Sequence, residues 1–183
     1  MNNQVTHVSW QAVAKKSAFW CLVLFLCAVI QTSLLSRYRL FGAVPEIVLP
    51  TVVAIGIFDK ERTGTIAGIM GGVIIDALGG GWLSLSPIVY MTCGCISALL
   101  SYSILRREFI SWLSATAVSL AIHSITSMIC GLITLKTLDA GFSDILFGVM
   151  IPQYFSSLIM SIPMYFVIRA LWRKFFDARE SVT

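Results

Sequence analysis

Charge is scarce in this chain: 12% of its 183 residues are Asp, Glu, Lys or Arg, against about one-quarter in an ordinary soluble domain. No polar stretch is long enough to form a second domain, which excludes an appended soluble module. Histidine is scarcer still. The two residues are His7, in the N-terminal tail, and His123, deep in an apolar run, a distribution that argues against a metal site. Five cysteines (Cys21, Cys27, Cys93, Cys95 and Cys130) all fall in apolar runs, and the Cys93-Gly94-Cys95 spacing does not suit a metal. They read as small buried hydrophobes. The chain contains no nucleophile with a paired base, no phosphate-binding Walker loop and no two-carboxylate hydrolytic arrangement, so neither catalysis nor a cofactor is expected.

What fills the chain instead is apolar: 57% hydrophobic residues and a mean hydropathy of +0.87. These values predict an integral membrane protein. Six segments can be drawn, over 17–36, 44–58, 63–78, 83–105, 110–135 and 143–172. The first follows Lys15 and Lys16 like a signal peptide but lacks a small-residue cleavage site and is long enough to span, so it reads as an uncleaved helix. Segments two and three are short, and a tilted, re-entrant or hairpin arrangement about Asp59-Lys60-Glu61-Arg62 would leave six spans or five. The expected fold is an all-α polytopic bundle over 17–172. It is flanked by cytoplasmic segments 1–16 and 173–183.

Basic residues orient that bundle. With six spans and a cytoplasmic N-terminus, Lys15, Lys16, Lys60, Arg62, Arg106, Arg107, Arg169, Arg173, Lys174 and Arg179 face inward, and only Arg37, Arg39 and Lys136 face outward. The net charge of +4 comes mostly from these flanks and calls for no nucleic acid. No single run holds the four to eight basic residues typical of a lipid-recognition cluster, which favours a solvated, topology-setting role. Trp10, Trp82, Trp112 and Trp172 lie near segment ends, where interfacial anchors are expected. Pro152 and Pro163 punctuate the last segment, allowing a bend or an interfacial start before Pro152.

The most pointed pattern runs from Gly64 to Gly81. Gly64, Gly68 and Gly72 recur every four residues, with Gly71 beside them, and on a helix this makes a flat stripe along which another backbone packs closely. Asp76 continues the series. A carboxylate there serves as a structural hydrogen-bond acceptor, a contact to a partner subunit, or a proton- or ion-coupling group. His123 is expected to be a neutral imidazole with one satisfied hydrogen bond, and Asp76 is its candidate partner. Pro45 and Glu46 read as a helix start, with proline in the first turn and the acid at the positive helix end.

Taken in order, Gln31-Thr32-Ser33-Leu34-Leu35, Phe41-Gly42-Ala43-Val44-Pro45-Glu46, the Gly64–Asp76 stretch and Gly79 to Gly81 resemble the rod shape-determining protein MreD family over roughly residues 29–100, somewhat over a third of the chain. The polar Asp59-Lys60-Glu61-Arg62 turn and Glu46, at a position where an amide or aspartate is as usual, depart from the family pattern. The resemblance implies a non-catalytic scaffold of the bacterial plasma membrane that supports cell shape and peptidoglycan synthesis through helix contacts on the Gly64–Asp76 face. Its implied partners are an MreC-type bitopic protein, the actin-like MreB filament, an elongation glycosyltransferase and a penicillin-binding transpeptidase; a homo-oligomer is also open. The alternative is the substrate-binding membrane subunit of an energy-coupling-factor vitamin transporter, which has similar size and glycine content but needs a roomy polar pocket. A proton-coupled carrier would want more intramembrane ionisable groups than Asp76 and His123.

Overall fold

A computed structural model describes residues 10–38, 42–59, 61–79, 85–103, 109–134 and 146–177. Helix α1 runs over Trp10–Val29 and continues through wider π-type turns over Ile30–Leu35. It is followed by α2 (Val48–Phe58), α3 (Glu61–Gly79), α4 (Ser86–Ser103) and α5 (Phe109–Thr134). Then come a π-type turn at Leu146–Met150, α6 over Ile151–Trp172 and a closing π-type turn at Arg173–Asp177. No strand occurs among the described residues. Three stretches, Lys15–Leu35, Phe109–Cys130 and Leu146–Phe175, are long and apolar enough to cross a membrane.

The bundle is organised around its shortest helix. Every residue of α2 is buried, and α1, α3, α4, α5 and α6 all pack against it. Its sequence, Val-Leu-Pro-Thr-Val-Val-Ala-Ile-Gly-Ile-Phe, has no polar face to offer to water. A helix apolar all round belongs inside. Its β-branched residues have modest helix propensity, which burial on all sides overrides. Pro50 sits in the first turn, where no intrahelical N–H bond is lost. At the far end Asp59 turns extended while its N–H still donates to the Ile55 carbonyl at 2.9 Å.

The surrounding helices are two-faced. Trp20, Leu24 and Ala28 of α1 point inward, whereas Leu22, Phe25 and Leu26 are exposed. The same division places Ile66, Ile69 and Val73 of α3 and Ile88, Ile96 and Leu99 of α4 outside. An apolar belt therefore covers the exterior as well as the core.

Several boundaries differ from the sequence reading. The second segment was drawn from residue 44, but residues 44–47 are non-helical and α2 begins at Val48, so Pro45 and Glu46 precede the helix instead of forming its first turn. Helix α1 begins at Trp10, inside the expected N-terminal segment, and helical structure continues to Asp177, inside the expected tail. Trp112 and Trp172 are not interfacial anchors: Trp112 is fully buried against Tyr165 at 4.9 Å, and Trp172 stacks on Phe58 at 6.0 Å. Both rings fill the space between helices at the bundle end. Trp82, His7, Gly80, Gly81, Lys60, Arg39, Arg106, Arg107, Lys136 and Arg179 lie outside the described residues.

Candidate functional site

The glycine stripe meets this chain's own helices. A methyl group added at Gly64 would lie 2.7 Å from the Gly56 Cα and 2.8 Å from the Gly94 carbonyl oxygen. One added at Gly68 would run into the Tyr90 backbone and lie 2.7 Å from the Met91 Cα; at Gly72 it would overlap Pro87. Helix α4 thus rests directly on α3, backbone to backbone. Gly71 points the other way, where an added methyl would sit 3.1 Å from Val52 and 3.6 Å from Leu24. The expectation that a partner protein docks along Gly64, Gly68, Gly71 and Gly72 is therefore corrected: α4 already fills the stripe on one side, and α1 and α2 fill it on the other. Gly56 and Gly94 complete the contact, yet as solitary glycines they form no recognisable spacing.

A second construction lies at the entry to α2. Gly42, with φ of +83°, turns the chain into a non-helical stretch, and the backbone N–H groups that follow have no intrahelical partners. Side chains from other helices supply them. Gln31 of the α1 extension accepts from the N–H of Ile47 at 2.9 Å and of Val48 at 3.1 Å through one oxygen. Ser157 of α6 accepts from the Glu46 N–H at 2.8 Å and donates its own proton to the Gln153 carbonyl at 2.6 Å.

The Glu46 side chain extends this network. Its Oε1 accepts from His123 Nδ1 of α5 at 3.0 Å and from Gln153 Nε2 of α6 at 3.2 Å. Glutamate and histidine side chains are 8% and 14% exposed, so the pair is effectively inside the protein. Tyr90 of α4 meets the imidazole ring edge-on at 5.4 Å. Oε2 of Glu46 has no hydrogen-bond partner among the described residues. Five helical elements therefore converge on one carboxylate and the backbone beside it.

His123 has the single hydrogen bond expected of it, but its partner is Glu46 and not Asp76. Asp76 is half-buried near the end of α3, within electrostatic range of Tyr90 and His123, and makes no ion pair with the imidazole. Helix-start chemistry does not account for Glu46, which precedes α2 and faces α5 and α6. The distances in sequence explain the miss: 77 positions separate residues 46 and 123, and no periodic pattern links them.

The other end of α2 is fixed more simply. Lys16 of α1 pairs with Asp59 at 2.5 Å, and Trp20 Nε1 donates to the second carboxylate oxygen at 3.3 Å. Helix α1 thus holds α2 at both ends.

Chemically, the Glu46 network can hold a proton between carboxylate and imidazole and fix the positions of α1, α2, α5 and α6. Its hydroxyl, Ser157, is committed to two backbone groups and is not held by the imidazole. Cys27 and Cys93 are buried and Cys21, Cys95 and Cys130 half-buried. No group of three or more metal-ligating side chains occurs among the described residues. No protein-family model, curated protein or solved structure matches this chain.

Proposed function

We propose that this chain is a polytopic protein of the bacterial plasma membrane, crossing it six times with both termini in the cytoplasm, and a member of the rod shape-determining protein MreD family. It acts there as a non-catalytic scaffold for cell elongation and peptidoglycan synthesis. Its partners on this reading are the MreC-type bitopic protein, the MreB filament, the elongation glycosyltransferase and its penicillin-binding transpeptidase.

The observation that carries the reading is the packing around α2. A helix of 11 residues is about 16 Å long, roughly half a hydrocarbon core. The non-helical residues 43–47 ahead of it lengthen the crossing. Non-helical backbone at membrane depth is tolerated only when protein satisfies its polar groups. Gln31 and Ser157 do this for Glu46, Ile47 and Val48. Helices α3 and α4, of 19 and 18 residues, come to about 28 and 27 Å. The exterior apolar belt supports lipid contact on all sides.

A vitamin-binding subunit needs a pocket of about 300 Å3 or more; among the described residues, the groove between α4 and α5, lined by residues such as Cys93, Ser97, Ser114 and Ile122, holds about 100 Å3 and is too small for one. Partner contacts then fall on the outward helix faces and not on the occupied glycine stripe. Depletion followed by microscopy tests the scaffold reading: rounding of rod-shaped cells is expected, and unchanged rods overturn it. Native mass spectrometry that finds a tightly held vitamin-like molecule would move the assignment to the transporter subunit.

A further inference from the structure

We infer that the cytoplasmic end of the bundle carries a binding site for anionic phospholipid headgroups, formed by Lys15 of α1 with Arg173 and Lys174 beyond α6. The inference rests on the membrane placement and orientation proposed above. In sequence these cations belong to two short groups at opposite ends of the chain, neither large enough to attract a lipid by itself. The fold joins them. Phe19 of α1 meets Phe175 at 4.9 Å, Phe58 of α2 stacks on Trp172, and Lys16 reaches Asp59, so three helix ends meet at one place.

Lys15 lies one turn before Phe19 on the same face of α1. Lys174 Nζ sits 5.8 Å from the centre of the Phe175 ring, the ring that touches Phe19. Arg173 falls one turn beyond Arg169. All three cations are exposed. Asp59 answers the charge of Lys16, whereas no ion pair to Lys15, Arg173 or Lys174 occurs among the side chains described. This leaves a positive surface at the edge of an apolar belt.

The neighbouring aromatic side chain selects a lipid over a free anion. Phe175 is 44% exposed beside the cations, so a phospholipid can place its phosphate on them and its glycerol and upper acyl carbons against the ring. Inorganic phosphate would use the charges and gain nothing from the ring. An acidic peptide would not need a ring at membrane depth.

The test uses the full chain in nanodiscs of equimolar phosphatidylglycerol and phosphatidylcholine, with bound lipids counted by native mass spectrometry. Wild type should retain phosphatidylglycerol preferentially. Each cation removed should weaken retention about fivefold, so that K15Q/R173Q/K174Q loses about a hundredfold and retains both lipids equally. R37Q, which removes an exposed charge at the far end of α1, should behave as wild type. Unchanged phosphatidylglycerol retention in the triple variant overturns the site, as does an equal loss in R37Q or displacement of the lipid by excess inorganic phosphate. Carbonate extraction separates the two levels of inference. Protein that resists carbonate but shows no lipid preference overturns the headgroup site alone; protein stripped by carbonate overturns the site and the membrane reading together.

Discussion

The two ends of α2 are both held by α1, but by different physics. At the C-terminal end, Asp59 meets Lys16, whose side chain remains 32% exposed, and the Trp20 indole completes the carboxylate's contacts. At the N-terminal end, Glu46 meets a nearly buried imidazole, and its flanking backbone depends on Gln31 and Ser157. A lysine that still reaches water can exchange its partner for solvent at little cost. A buried carboxylate has no such exchange, because desolvation has already been incurred and only its protein partners offset it. Both acids are buried, Asp59 at 6% and Glu46 at 8% exposed, so the contrast lies in the cation: the lysine still reaches water and the imidazole does not.

Substitutions can break or sharpen this contrast. The largest effect should come from Gly68→Leu, which drives a side chain into the Tyr90 backbone and separates α3 from α4. Both ends of α2 then lose their surroundings, and folded protein should disappear from size-exclusion profiles in detergent. Next is His123→Leu, which strands the Glu46 carboxylate and should cost about 3–5 kcal/mol. The paired variant Glu46→Leu with His123→Leu should recover part of that loss in denaturation midpoints. If the single and double variants are equally unstable, the buried pair is not a unit.

Gln31→Leu leaves the N–H groups of Ile47 and Val48 without an acceptor, at about 1–3 kcal/mol for each unsatisfied group. Hydrogen exchange at these two amides should accelerate while α5 stays protected. Lys16→Met should be mildest, at about 1–3 kcal/mol, because Asp59, 6% exposed, keeps the Trp20 indole N–H as a donor. A Lys16 effect as large as that of His123 would erase the difference between the two ends.

Six apolar segments were visible in the sequence because each carries enough hydrophobic residues to form a helix, and six helices are described near those positions. Their ends were less visible. Pro45 resembled a first-turn proline, but Pro50 takes that place, since a non-helical stretch precedes α2 and brings Glu46 between α5 and α6. The stripe at Gly64, Gly68 and Gly72 was legible as a contact face through its spacing. Its occupant was not, because Gly94 and Gly56 are isolated residues whose meaning arises only from proximity. Gln31 was noticed as part of a segment end, and nothing local marks it as the acceptor for a helix that begins 17 residues later.

Composition and periodicity by themselves determined that the chain is helical and apolar, and that α3 presents a surface without side chains. Those properties depend on neighbours within a few turns, which the linear order specifies. Tertiary structure alone decided that α4 occupies that surface, that His123 answers Glu46 and not Asp76, and that Lys15 and Lys174 share one end of the bundle. Each of these depends on which helices lie side by side, and the close fit of whole surfaces, rather than any local pattern, selects that arrangement.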